Sequence, residues 1–163
     1  MIRNVKIISI SGKKLISFNE GNKLIFIDGS YVHTLNFRAR LLGVIGDKLI
    51  VSIKNRYLVS LSSSTFLLDL VIYKGPIEAH ANSDTAIWFQ CKNQVFYINS
   101  DMKISLYDDF SHTRLINIIY LHVLKTVAFI IQADDGIRIH FDDSYLNTLF
   151  FSGIFQTPEI YFE

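Results

Sequence analysis

Between Asp47 and Leu70 the chain reads DKLIVSIKNRYLVSLSSSTFLLDL, three apolar runs separated by polar residues. Its apolar positions alternate with a period near two, the pattern of strands with one face buried, and do not recur at the three-to-four spacing of a helix. The stretch predicts strands at Lys48–Lys54, Tyr57–Leu61 and Thr65–Tyr73, with a turn at Asn55 and a Ser cluster before the third strand. The same grammar recurs on both sides. Upstream are KLISF, NEGN, KLIFI, DGS and YVHTLNF; downstream are TAIWFQC, KNQ, VFYI, NSD and MKISLYD, then TVAFIIQ, ADDG, IRIHF, DDS and YLNTLFF. One further apolar segment precedes each set (VKIISIS, RLLGVIG, IEAHANS, LINIIYLHV), and IFQTPEIYF follows the last. Taking Val5, Leu41, Ile77, Leu115 and Ile154 as starting marks, the repeat is about 36 to 39 residues long, within the range of propeller blades and other repeat units.

Asn, Asp and Gly at the connections tolerate the positive φ of tight hairpin turns. A lone four-stranded sheet would leave a broad apolar face in water, so units of this kind bury against their neighbours, and radial packing around an axis leaves only short edges exposed. The expected fold is therefore all-β: a β-propeller-like array of four-stranded antiparallel blades in one domain, with blades at 5–37, 41–74, 77–110 and 115–153 and a terminal strand at 154–162. Ile50, Val59, Leu67, Trp88, Phe96, Phe129 and Ile139 stand at strand centres and are expected in the core. This strand order, repeat length and turn chemistry resemble the WD40-like propeller superfamily. Ser111-His112 followed by Asp134-Asp135 is the nearest approach to that superfamily's Gly-His and Trp-Asp signatures. Four blades are few for such a ring. Either the terminal strand Ile154–Phe162 closes a small ring by pairing with the first sheet, or the ring is incomplete and its edges need covering, which implies a homo-oligomer or protein partner engaged near Met1–Ile10 and Ile154–Phe162.

Composition narrows the picture. Half of the 163 residues are hydrophobic and 19% are charged, which excludes a disordered chain. The single Cys91 cannot form an internal disulfide, and the start lacks a basic-then-apolar leader pattern, so an intracellular, cytoplasmic placement is expected, with the nucleus or a membrane periphery as alternatives. Leu115–Ile131 approaches the length of a membrane span, but Asn117, His122 and Lys125 interrupt it and its β-branched residues suit buried strands.

No phosphate-binding Gly-rich loop, nucleophile elbow or zinc-protease motif occurs, so no catalytic residue, cofactor or metal is expected. Cys91 beside Trp88 and Phe89 reads as a core residue. His33, His80, His112, His122 and His140 lack ligand spacing. The pairs Asp108-Asp109, Asp134-Asp135 and Asp142-Asp143 read as turn residues.

Charge is distributed unevenly between the two loop ends of the expected blades, although the net charge is only +1. One end carries Arg38, Arg40, Lys54, Arg56, Lys74, Lys92 and Arg114, diluted by Glu20, Asp108, Asp109, Asp134 and Asp135. The other carries Asp28, Asp47, Asp84, Asp101, Asp142 and Asp143 against Lys13, Lys14, Lys48 and Lys125. Within the basic set, FRAR (Phe37–Arg40) loosely resembles the F-R-R-G loop of phosphoinositide-binding propellers, with Ala39 at its second Arg and Leu41 at its Gly. The expected function is a non-catalytic module that scaffolds a protein complex through loops held on rigid blades. The alternatives are a phosphoinositide- or nucleic-acid-binding propeller using the basic loops, and, third, an enzyme with a site in the central channel.

Overall fold

The computed structural model describes residues 1–83, 85–110, 113–143 and 147. All fifteen elements among them are strands, and they form four antiparallel sheets in which every strand pairs with its neighbours in sequence. The first sheet contains β1 (Ile2–Ile10), β2 (Lys13–Glu20), β3 (Lys23–Asp28) and β4 (Tyr31–Leu35). The second contains β5 (Ala39–Ile45), β6 (Lys48–Ile53), β7 (Tyr57–Ser62) and β8 (Leu68–Lys74). The third is β9 (Ala79–Asn82), β10 (Ile87–Cys91), β11 (Gln94–Ile98) and β12 (Ile104–Asp109), and the fourth is β13 (Arg114–Leu121), β14 (Thr126–Ala133) and β15 (Gly136–Phe141).

Turn chemistry sets this order locally. Ser11 and Gly12 both take positive φ, 50° and 75°, between the paired residues Ile10 and Lys13, which is the geometry of a two-residue primed turn whose twist matches the strands it joins. The apolar run Leu115–Ile131 becomes the β13–β14 hairpin. Among the described residues no helix is long and apolar enough to cross a membrane. Of the fourth blade's last predicted strand, YLNTLFF, only Asn147 is described; it is helical, and its side-chain amide donates to and accepts from the backbone of Phe141. The predicted strand at 154–162 lies outside the described residues, as do Asp84, Ser111 and His112.

The chain divides into two compact units, one comprising Met1–Ile77 with Ile98–Ile104, the other Glu78–Tyr97 with the described residues from Ser105 onward. In the first unit, Ile8, Ile10, Leu15, Leu24 and Phe26 of the first sheet meet Leu41, Leu49, Val51, Val59 and Leu61 of the second in one buried cluster. In the second unit, Trp88, Val95, Leu115, Ile118, Val127 and Phe129 form the corresponding core, and the Trp88 ring lies 5.0 Å from Tyr107 and 6.0 Å from Phe129.

Of the expected core, Ile50, Val59, Trp88, Phe129 and Ile139 are buried. Phe96 is half-buried, stacked on Phe89 at 5.6 Å. Leu67 is 68% exposed and corrects the predicted start of the third strand. Its segment is a turn closed by Phe66 N–H to Ser62 O (2.8 Å) and Ser62 N–H to Leu67 O (3.0 Å). Phe66, at φ 59°, is the side chain that turns inward, with its ring 5.1 Å from Phe26 and stacked on His33 at 4.1 Å.

A one-residue bulge interrupts the first strand of three sheets, between Arg3 and Lys6, between Leu41 and Gly43, and between Leu115 and Asn117. The extra residue breaks the two-fold alternation of faces. Consequently Leu41 and Leu42, though adjacent, are both buried.

Candidate functional site

The seven basic residues singled out from the sequence do not form one cluster. Arg38, Arg40 and Lys54 line a pocket of about 330 Å³ in the first unit, joined there by Arg3 and walled by Asn4, Asn19, Ser52 and Asn55. Lys92 and Arg114 line a separate pocket of about 320 Å³ in the second unit. Arg56 and Lys74 line neither, although the Arg56 carbonyl accepts from Gly75 N–H at 2.7 Å.

In the first pocket the backbone places each cation. Arg38 and Arg40 flank the buried Ala39 at the start of β5, and strand alternation puts the two guanidinium stems on one side and the methyl on the other. Lys54 is at φ 54° in the β6–β7 turn, and its N–H donates to the Arg38 carbonyl at 2.8 Å, pinning that turn beside the start of β5. Arg3 precedes the β1 bulge, whose Asn4 takes φ 55°, and it donates to the Gly21 carbonyl at 2.9 Å. Asn19 secures the floor: it accepts from Asn4 at 3.2 Å and donates to the Ala39 carbonyl at 2.8 Å. No lining residue is acidic, and Arg3, Arg38, Arg40 and Lys54 have no carboxylate partner among the described residues. Beside them, the Lys6 ammonium donates to the Leu41 carbonyl at 2.9 Å, and burial, reinforced by the charge of Arg40, holds its pKa below the ordinary Lys value.

The second pocket has different chemistry. Glu78 accepts from the Lys92 N–H at 3.0 Å and from Gln90 Nε2 at 3.3 Å, while Gln90 Oε1 is buried without a hydrogen-bond partner among the described residues. Lys92 and Arg114 therefore share their pocket lining with acceptor-bearing side chains, one of them a carboxylate. One structural device is nonetheless repeated: Asn55 Oδ1 accepts from Ile77 N–H and Asn93 Oδ1 from Leu115 N–H, both at 3.2 Å and both 22 residues apart.

Elsewhere in the first unit, Lys13 pairs with Asp28 at 2.8 Å and Lys48 with Asp69 of β8 at 3.1 Å. Asp135 pairs with Arg138, whose hydrogen bond holds the Asp135 carboxyl below its ordinary range. Tyr107 is pushed above the ordinary phenol value by burial first and by the neighbouring Asp142 carboxylate second. Cys91 is buried, and among the described residues no group of three His, Cys, Asp or Glu side chains is arranged to hold a metal ion.

The sequence reading missed a second surface. Ile7 pairs with Ile16, Ile16 with Ile27 and Ile27 with Val32, so one apolar row crosses all four strands of the first sheet. It lies on the face opposite Ile8, Leu15 and Phe26, and Ile7, Ile16 and Val32 are 74%, 41% and 63% exposed. Its signal was present as apolar residues at both parities in VKIISIS and KLIFI.

No family model matches the chain, and no curated protein matches it. Similarity appears among solved structures. PorZ, a bacterial surface component of the type-IX secretion system of Porphyromonas gingivalis, superposes with a TM-score of 0.58 at 9% identity over 84% of this chain and 19% of its own. The N-terminal domain of Nup159 does so at 0.53 and 12% identity, over 85% of this chain and 43% of its own. The computationally designed Ika4 protein gives 0.51 at 8% identity, over 85% of this chain and 91% of its own. The chain thus spans about a fifth of PorZ, and at these identities the likeness shows a shared β-rich fold alone.

Proposed function

We propose that this chain is a non-catalytic, propeller-like interaction module of the WD40-like kind that serves assembly, and that the outer face of its first sheet packs against the same face of a second copy. The carrying observation is the row Ile7–Ile16–Ile27–Val32, half-buried at Ile27 and exposed at the other three. Such a row has no use in a self-contained sheet, because apolar area left in water forfeits about 25 cal/mol per Å². Two-fold packing suits it, since a self-complementary face meets its own copy with the same residues on each side. Glu20 and Lys23 are paired on adjacent strands of this sheet and supply both signs of charge for an antiparallel match. The β-rich neighbours include a secretion-system surface component and a nucleoporin domain, which is compatible with an assembly role.

Light scattering at micromolar concentration tests the reading. The wild-type chain is expected as a dimer, and Ile16→Glu combined with Val32→Glu as a folded monomer. A wild-type monomer, or a dimer that both charges leave intact, would overturn it. A monomer that forms a stoichiometric complex with a different protein through this face would replace the second copy as the occupant.

A further inference from the structure

We propose that the pocket lined by Arg3, Arg38, Arg40 and Lys54 binds a phosphomonoester or diphosphate group. Four cationic side chains converge there from three places distant in sequence: the start of β1, the start of β5 and the β6–β7 turn. On a chain of net charge +1 this is a local concentration, and like charges brought together without a counter-ion repel one another. The acidic residues adjacent in sequence to the lining, Glu20 and Glu78, are not part of it. Assembling such a cluster is costly unless an anion offsets it.

The donor set selects the anion. Arginine presents a planar fork that matches phosphate oxygens two at a time, and lysine adds a point charge, so three arginines and a lysine exceed what a single carboxylate can satisfy. The neutral walls suit the same ligand. The Asn55 carbonyl oxygen is taken by Ile77, which leaves its amide N–H groups as the donors without a bond among the described residues. A volume of about 330 Å³ accommodates a phosphate with a small group attached. It is a concavity for one headgroup and offers no run of successive sites along a polymer. The pKa of Lys6 is lowered by burial first and by the charge of Arg40 second, and the smaller of these two causes reports the positive potential beside Arg40. The second pocket is an internal control, because Glu78 and the unpaired Gln90 oxygen put acceptors beside its cations.

The test uses the whole chain in two arms. Calorimetry with inorganic pyrophosphate reads a soluble ligand. Co-sedimentation with phosphatidylcholine vesicles containing phosphatidic acid, against vesicles containing phosphatidylserine, reads a lipid phosphomonoester. Binding in either arm is expected, weakened at least about tenfold in Arg38→Gln/Arg40→Gln, where forked charge-assisted contacts are lost. Arg38 and Arg40 are exposed, and Gln keeps much of the stem, so the variant is expected to fold; circular dichroism verifies this, and each single variant is a milder second reading. Lys92→Gln/Arg114→Gln should bind as wild type. No binding in either arm overturns the proposal. So does binding that ignores the Arg38/Arg40 change, binding lost equally in the Lys92/Arg114 variant, or binding of a single-stranded oligonucleotide that pyrophosphate does not displace.

Discussion

Trp88 concentrates the second unit's packing in one side chain, with Tyr97, Tyr107 and Phe129 rings all within about a ring's width of it. Trp88→Ala is expected to cost about 3–5 kcal/mol, the range for deleting a large buried aromatic. Leu67→Ala, at an exposed turn position, should stay within about 0.5 kcal/mol of wild type. Urea titration of the two variants checks both, and a large loss at Leu67 would refute the turn geometry. Tyr107 adds a pH dependence. Its folded pKa is raised above that of the unfolded chain, so its contribution is fully present below the unfolded value near 10 and is lost as pH rises past it. Between about pH 9 and 11 the wild type should therefore lose more stability than Tyr107→Phe, since only the wild type holds this phenol protonated against the alkaline solvent. Equal losses would show that Tyr107 is not desolvated.

At the level of elements, the repeated tie from Asn55 and Asn93 to the next segment's backbone joins each turn to the start of the following strand or loop. Both asparagines follow a lysine at positive φ, 54° at Lys54 and 57° at Lys92. The motif was visible as Lys-Asn in two equivalent turns, but reading it as turn chemistry accounts only for the local backbone. Its acceptor role needed the neighbouring segment in place. Asn93→Ala leaves the Leu115 N–H without this partner and should cost about 1–3 kcal/mol, with Asn93→Asp milder because an acceptor oxygen remains. Amide hydrogen exchange supplies a site-specific check: protection at Leu115 should fall in the alanine variant more than protection across the β13–β14 ladder.

For the molecule as a whole, association through the first sheet links stability to concentration. A dimer that dissociates on unfolding gains stability by mass action, so its melting temperature should rise with protein concentration. The Ile16→Glu/Val32→Glu variant should melt at one temperature whatever its concentration. A wild-type transition that does not move over a hundredfold range, about 2.7 kcal/mol of mass action, would argue against dimerisation.

The amino-acid sequence by itself determined the strands, their antiparallel succession and most of their turns, because period-two alternation and the φ preferences of Gly and Asn act between residues close in the chain. It determined the four-fold recurrence for the same reason. Tertiary structure alone decided that Phe66 and not Leu67 turns inward, since that depends on Phe26 and His33 from another sheet. It also decided the bulges, which shift alternation by one residue and bury both Leu41 and Leu42. Finally, it divided five of the seven basic candidates between two pockets, left Arg56 and Lys74 outside both, and added Arg3 to the first. Charge has no periodicity that records its neighbours in space; which cations meet is set by strand register and by the packing of one sheet on another.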